Sequence, residues 1–106
     1  TILKSGGNAV DAAIAACAVM CVVEPAMTGI GGDCFALYAP KGATKPIAMN
    51  GSGKAPAAAT LAKLNELGVR DEIPLHSPHA VTVPGAIAAW AKLIEDHGSL
   101  SFAEIL

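Results

Sequence analysis

The composition of this chain excludes several classes of protein before any motif is considered. Its 106 residues suit one domain or part of one, and a net charge of −2 with only seven Lys and Arg residues offers no basic surface for nucleic acid. Hydrophobic residues make up 53% of the chain and charged residues only 15%, which is more apolar than a small soluble domain needs. We therefore expect apolar surface that packs against further protein, and no nucleic-acid partner.

The first predicted element is a capped helix. Residues 5–7 predict a turn, Asn8 an N-cap and the apolar run 9–23 a helix. Asp11 occupies the third helical position, where a carboxylate meets the free N–H groups and the positive end of the helix dipole, so we interpret it as a capping residue. Since the apolar side chains do not keep to one stripe, we expect this helix to be covered nearly all round.

The apolar run 9–23 is too short to span a membrane, and it contains two of the three cysteines. Its longest uncharged stretch, 12–23, has twelve residues, whereas a spanning helix needs roughly 20, so no membrane span is predicted. Cys17 and Cys21 lie four apart on one helical face, and Cys34 makes the count odd. No His or further Cys completes a zinc ligand set, so we predict core packing, no metal and no cofactor.

A hairpin is predicted after the helix. Glu24-Pro25 ends the helix, because the residue before a proline is pushed out of the helical region. Residues 27–33 predict a glycine-rich turn. The stretches 34–39 and 46–50 predict two strands that pair through a turn at 40–42.

The next segment is predicted to hold a helix, a loop and a strand. Pro56 is expected to open a helix that continues through Leu67 and stops at Gly68. Residues 69–77 are the most polar part of the chain and predict a surface loop. Residues 80–83 predict a buried strand.

The chain is predicted to finish with two helices. The spacing after Pro84-Gly85 predicts a helix that ends at Gly98 and has a single apolar face. The side chains predicted on that face are Ile87, Trp90, Ala91 and Ile94. Ser101 and Glu104 have the spacing of a capping box and predict the start of a last helix.

Several sequence patterns partly match nucleotide-binding, metal-binding or nucleophile motifs, but the residues next to them do not complete any of these motifs. The glycines at 29–32 lack the strand-before, helix-after order of a dinucleotide site, and residues 51–54 lack the first glycine and the Ser/Thr of a P-loop. His76 and His79 have no further metal ligand nearby and predict solvated loop residues. The candidate nucleophiles are Ser5, Thr28, Ser52 and Ser77. The sequence pairs none of them with a base, so the residues alone predict an α/β layered piece without an assigned activity.

Four motifs, taken in order, resemble the start of the gamma-glutamyltransferases. They are Ser5-Gly6-Gly7-Asn8-Ala9-Val10-Asp11-Ala12-Ala13, then Glu24-Pro25 with Gly29-Ile30-Gly31-Gly32 and Phe35, then Ala55-Pro56, and finally Val83-Pro84-Gly85. The resemblance covers nearly the whole chain. From this resemblance we expect residues 1–106 to be a fragment of the large-subunit part of a gamma-glutamyltransferase-like protein, truncated at both ends.

The resemblance implies an α/β (α+β) fold, the αββα sandwich of the N-terminal-nucleophile hydrolases, made as a precursor that cleaves itself. It implies a threonine at the new N-terminus of the small subunit as nucleophile, with its own amino group as base. That threonine lies outside this chain, so no residue here is predicted to be catalytic and the fragment alone is expected to be inactive. The implied partners are the remainder of the precursor and a small-molecule amide or gamma-glutamyl substrate.

One position departs from the family pattern. Members that act on gamma-glutamyl compounds usually carry an Arg four residues before the proline of the Ala55-Pro56 pair, where it clamps the α-carboxylate of the substrate. Ser52 stands at that position and supplies no cation. Lys54 restores a positive charge two residues further on, as a point charge and not a fork. Ser52 and Lys54 are therefore the candidate substrate-binding residues.

The sequence leaves three interpretations of the function open. Residues 50–54 and the Gly32-Asp33-Cys34 variant resemble the divergent branch that includes cephalosporin-acylase-like amide hydrolases, whereas the family as a whole implies gamma-glutamyl transfer or glutathione hydrolysis. A noncatalytic module that binds a partner chain through its alanine-rich face explains the apolar composition equally well.

The odd cysteine count favours the cytoplasm as the compartment of this protein. The periplasm is the alternative if a signal peptide precedes Thr1.

Overall fold

The chain forms a layer of helices packed on one face of a two-stranded sheet, and the computed structural model describes all residues from 1 to 106. The elements are α1 (Ala9–Val23), β1 (Cys34–Tyr38), β2 (Ile47–Gly51), α2 (Leu61–Glu66), α3 (Ala86–His97) and α4 (Phe102–Ile105), with 3-10 turns at Ile2–Ser5 and Pro78–Ala80. The prediction of a mixed helix-and-sheet piece is confirmed. The capped first helix, the hairpin and the last two helices all form where the sequence predicts them.

The hydrophobic core lies where α1, α3 and α4 meet the hairpin. Its buried side chains are Val10, Ile14, Trp90, Leu93 and Ile105. Cys34, Ala36 and Met49 pack against this cluster from the hairpin. Since successive side chains of a strand point to opposite faces, only one face of the sheet contributes to this core.

The two strands pair antiparallel, and their register separates an inner from an outer face. Ala36 pairs with Met49 on the inner face, and Leu37 pairs with Ala48 on the outer face. On the outer face Phe35 is 67% exposed and Leu37 is 78% exposed. We call the four outer residues, Phe35, Leu37, Ala48 and Asn50, the outer hairpin face. It is apolar at three of its four positions and nothing in the chain covers it.

The apolar face predicted for α3 is only half right. The side chains that the helix buries are Ala86, Ala89, Trp90 and Leu93. Of the predicted face, Trp90 is buried and Ile94 is partly buried against the core, whereas Ile87 is 40% exposed. The sequence offers two overlapping apolar stripes on this helix, and contact with the hairpin and α1 selects the one that contains Leu93.

In the middle of the chain, the predicted start of the second helix and the predicted strand at 80–83 are both wrong. The second helix begins at Leu61 and not at Pro56, because the Thr60 hydroxyl accepts the Lys63 N–H at 3.2 Å and caps the helix there. Gly68 has a φ of 82° and ends the helix as predicted. The buried strand predicted at 80–83 does not form, since the sheet has no third strand and Val81 and Val83 are exposed.

Helix α1 is not covered all round within this chain. Its buried residues are Val10, Asp11 and Ile14, all in the first two turns. The large side chains exposed on its second half are Val19, Met20, Val22 and Val23. The expectation of a covered helix is therefore wrong for these 106 residues, because α3 and the hairpin reach only one side of it. No helix of the structure has both the length and the apolarity required to cross a membrane.

Candidate functional site

Three chain segments that are distant in sequence meet at one end of the hairpin. They are the glycine-rich turn 29–33 before β1, the loop 50–54 after β2, and residues 82–86, which lead into α3. The Gly32 carbonyl oxygen accepts the Gly85 and Ala86 N–H groups, each at 3.0 Å. The Val83 N–H donates to the Lys54 carbonyl oxygen at 2.9 Å. We call this meeting point the loop junction, and it contains both residues that the sequence predicts to bind substrate.

Close packing at the loop junction requires glycine at two positions. A Cβ atom at Gly53 would overlap the Val83 carbonyl oxygen, and one at Gly85 would overlap the Gly51 carbonyl oxygen and lie 2.8 Å from the Gly53 nitrogen. Contacts below about 3 Å leave no room for a methyl group. Gly53 and Gly85 therefore serve backbone packing in this structure.

Ser52 lies at the rim of an open cavity of about 250 Å³. Its N–H donates to the Asn50 Oδ1 atom at 3.0 Å, and its hydroxyl makes a long contact of 3.4 Å to the Gly53 carbonyl oxygen. The residues around the cavity are Met49, Asn50, Gly51, Ser52, Gly85, Ala88, Ala89 and Lys92. No guanidinium borders it, because the single Arg of the chain, Arg70, lies in the loop between α2 and α3.

Two cations lie in this region, and the sequence indicates only one of them. Lys54 is exposed and forms no ion pair, and the structure shows no contact of its ammonium group with the cavity. Lys92 borders the cavity, but its Nζ atom is 2.7 Å from Asp96 Oδ1 and 3.1 Å from Glu95 Oε2. Hydrogen bonds to Asp96 and then Glu95 raise the pKa of Lys92. Its charge is thus already matched by two carboxylates of its own helix.

Asp33 lies at the loop junction but, like Lys92, is not among the substrate-binding residues predicted from the sequence. Its Oδ1 atom accepts the Gly53 N–H at 2.6 Å, across twenty residues of chain. Asp33 also borders a second cavity of about 310 Å³, which lies between the glycine-rich turn, Cys34 and Trp90. The only sequence signal for this contact is a carboxylate where the glycine-rich run ends.

The cysteines differ in their surroundings. Cys21 packs against the core as predicted, whereas Cys17 is exposed, so core packing is wrong for Cys17. Cys34 packs against the core from the hairpin. Burial, and next the neighbouring Cys17 thiol, raise the pKa of Cys34, and a hydrogen bond to Trp90 lowers it in part. A raised pKa keeps Cys34 a neutral thiol, which is a weak nucleophile. No group of three or more potential metal ligands forms in the structure, and His76 and His79 are both exposed.

The first motif of the chain builds a second junction, at the opposite end of α3. The Asn8 Oδ1 atom accepts the Val10 and Asp11 N–H groups, and an Asp11 carboxylate oxygen accepts the Asn8 N–H at 2.8 Å. Both carboxylate oxygens of Asp11 also accept the Ser99 N–H, at 3.1 and 3.2 Å. Asp11 is completely buried. Its predicted capping role is confirmed, and the added contact to Ser99 ties α1 to the segment between α3 and α4.

No candidate nucleophile is paired with a base. The Ser5 hydroxyl donates to the Thr1 carbonyl oxygen, the Ser77 hydroxyl accepts the His79 backbone N–H, and the Ser52 hydroxyl contacts only the Gly53 carbonyl oxygen. Nucleophilic catalysis by a hydroxyl requires a base within hydrogen-bond distance and a third group to orient it. The structure pairs none of the four candidate hydroxyls with such a base.

Comparisons with known proteins agree on one family. A family model described as gamma-glutamyltranspeptidase matches residues 1–106. The chain is 39% identical over 106 residues to the glutathione hydrolase-like YwrD proenzyme of Bacillus subtilis, covering 99% of this chain and 20% of that protein. It is 40% identical over 94 residues to the oxamate amidohydrolase proenzyme of Klebsiella pneumoniae, covering 88% of this chain and 17% of that protein.

A solved structure gives the same result in three dimensions. The cephalosporin acylase from Bacillus halodurans superposes with a TM-score of 0.90 and 47% sequence identity, over 99% of this chain and 19% of that one. The chain thus spans about a fifth of the length of the proteins that it matches.

Proposed function

This chain belongs to the gamma-glutamyltranspeptidase family, and from that premise we propose that it forms a wall of the substrate pocket in an amide-cleaving enzyme. Its helix-and-sheet architecture is a piece of the N-terminal-nucleophile hydrolase fold. The proposed reaction is hydrolysis or transfer of an acyl group. The enzyme names carried by the relatives favour this over a noncatalytic partner-binding module.

The nucleophile of this reaction is proposed to lie in another part of the protein. The relatives named above are described as proenzymes and are about five times as long as this chain. None of the candidate hydroxyls of residues 1–106 has a base. An acyl-threonine intermediate, formed by a threonine that a self-cleavage step exposes, fits both observations.

The remainder of the precursor is the proposed partner of the outer hairpin face. Phe35 and Leu37 expose apolar surface that a single soluble domain would bury. In a sandwich of two sheets between two helical layers, this face of the sheet lies inside, and the helical layer of α1 and α3 covers the other face. The exposed second half of α1 requires cover for the same reason.

The observation that carries the substrate proposal is Ser52. It occupies the position at which gamma-glutamyl enzymes place an Arg, it borders the cavity of about 250 Å³, and no guanidinium reaches it. A hydroxyl cannot replace the bidentate, charge-assisted contact that an Arg makes to a carboxylate. We therefore propose an amide substrate without gamma-glutamyl specificity, with Ser52 and Lys54 in the substrate-binding loop 50–54.

Replacing Ser52 tests this proposal. In the protein expressed from its complete reading frame, S52R is expected to lower the KM for a gamma-glutamyl anilide by about tenfold, because one charge-assisted contact contributes on the order of 1.5–3 kcal/mol. The matched control is A57R, which adds the same side chain at an exposed position five residues along and is expected to leave KM unchanged.

A second variant tests Lys54. If its ammonium group supplies the missing charge, K54M raises the KM of the natural enzyme and S52R restores it. An S52R protein with the same KM as A57R contradicts the substrate argument. Absence of any amidase or transferase activity in the processed protein contradicts the proposed reaction itself.

A further inference from the structure

We propose that Asp33 is a positioning residue for the substrate-binding loop 50–54. The inference rests on the proposed function and names a residue that acts on the pocket through the backbone. Its basis is the hydrogen bond from the Gly53 N–H to Asp33 Oδ1, at 2.6 Å. Gly53 follows Ser52 directly, so whatever holds Gly53 also holds Ser52.

The loop has few other restraints. The Ser52 N–H is held by Asn50, which belongs to the same turn and moves with it. The Lys54 carbonyl oxygen accepts the Val83 N–H, which fixes the far end of the loop. The Asp33 carboxylate makes the only hydrogen bond that joins the middle of the loop to a different part of the fold. Without it, the Gly53 N–H has no acceptor in the structure.

The glycine-rich turn that carries Asp33 is itself anchored to α3. The carbonyl oxygen of the preceding residue, Gly32, accepts the Gly85 and Ala86 N–H groups at the start of that helix. Ala86 is buried, and α3 packs against both strands. The turn and Asp33 therefore connect the start of α3 to an exposed loop, through two backbone hydrogen bonds to Gly32 and one side-chain hydrogen bond from Gly53.

A carboxylate suits this role better than a neutral acceptor of the same size. Hydrogen bonds to ionised acceptors are shorter and about twice as strong as neutral ones. The bond is also close to the packed contact of Gly53 with Val83 and Gly85, where the backbone leaves no room for a side chain. Losing the bond leaves the loop free to move away from that contact, taking Ser52 out of the pocket wall.

The experiment compares D33A and D33N in the protein expressed from its complete reading frame. Hydrogen exchange of peptides that cover residues 50–54 is expected to be at least fivefold faster in D33A, because the Gly53 amide loses its acceptor. D33N keeps an oxygen acceptor at the same place but makes the weaker, neutral hydrogen bond, so its exchange is expected to lie between that of the natural protein and that of D33A. The matched control is D71A, which removes an exposed carboxylate that makes no hydrogen bond.

Kinetics give the second readout, with the amide substrate on which the natural enzyme is active. D33A is expected to raise KM by about tenfold with kcat changed less than threefold, since the variant disturbs the pocket wall and not the nucleophile. D33N is expected to have a KM between those of the natural protein and D33A, because it keeps an acceptor that bonds more weakly than a carboxylate. A variant that merely unfolds lowers kcat by reducing the active fraction and leaves KM unchanged.

The outcomes separate this proposal from the proposed function. Unchanged exchange of 50–54 in D33A overturns the role of Asp33, whether or not the protein is an amidase. Faster exchange with an unchanged KM overturns it as well, because the loop then does not contact substrate. If the natural protein cleaves no amide, the proposed function fails, and the exchange result still decides whether Asp33 holds the loop.

Discussion

The two junctions at the ends of α3 use the same chemical device for different purposes. At one end Asp11 is completely buried and accepts N–H groups from Asn8 and Ser99. At the other end Asp33 is exposed and accepts the N–H of Gly53 alone. The buried junction joins α1 to the segment that follows α3. The loop junction lies beside two cavities, so a carboxylate that orders a loop there also shapes a pocket.

The comparison shows that a specific sequence motif does not identify a functional site by itself. The run from Ser5 to Ala13 is the longest motif that the chain shares with its family, and its polar side chains serve to cap and connect helices. The shorter stretch 50–54 contains the candidate pocket residues.

The largest effect is expected at the buried junction. D11A removes a helix cap and leaves the Asn8 and Ser99 N–H groups without an acceptor, which is expected to lower the free energy of unfolding by about 3 kcal/mol. Denaturant unfolding of the protein from the complete reading frame measures this change. The control is E24A, at the other end of α1, where the side chain makes no hydrogen bond; it is expected to change stability by less than about 0.5 kcal/mol. Equal effects of the two variants would contradict the importance of the buried contact.

A smaller effect is expected from a methyl group at the loop junction. G53A places a Cβ against the Val83 carbonyl oxygen and is expected to cost about 2 kcal/mol, in the range of overpacked sites. It is also expected to raise KM, since the loop must shift. G29A provides the control, because a Cβ there meets no atom within 4 Å. If G53A and G29A have the same thermal midpoint and KM, the tight packing of this loop is refuted.

The smallest effect concerns the exposed capping box of α4, which resembles the buried one of α1 in pattern alone. Hydrogen bonds from the Ser101 hydroxyl and then from its backbone N–H lower the pKa of Glu104 below its ordinary value of 4.5. A lowered pKa in the folded state means that this stabilisation is complete above pH 4.5 and is lost as the pH falls through the lowered value.

The measurement is the thermal midpoint of the natural protein and of E104Q between pH 6 and pH 3. The difference between the two proteins is expected to shrink as the solution becomes more acidic, and to be slight throughout because the group is exposed. A difference that grows toward low pH would contradict the sign of this shift.

Sequence patterns predict the elements whose signals are local. The Asn8 and Ser101 caps, the helix stop at Gly68 and the hairpin all follow from residues within a few positions of one another. The stripe that α3 buries does not, because Ile87 and Leu93 are equally apolar and only contact with other elements selects between them. Residues 80–83 have the composition of a strand and lack a partner to pair with.

The candidate site, like the fold, is predicted from the sequence only in part. Ser52 and Lys54 are indicated by resemblance, and the structure brings Ser52 to a cavity while Lys54 points to none that it shows. Asp33 is missed because its contact partner lies twenty residues away and is a backbone group, which leaves no trace in the identity of residue 53 other than the absence of a side chain.

The hairpin also has a consequence for how the protein is handled in the cell and in the laboratory. With only two strands, each has one edge whose backbone N–H and C=O groups are unpaired, beside a face that exposes Phe35 and Leu37. Such an edge is a template for strand addition by another molecule. Residues 1–106 produced alone are therefore expected to self-associate as concentration rises.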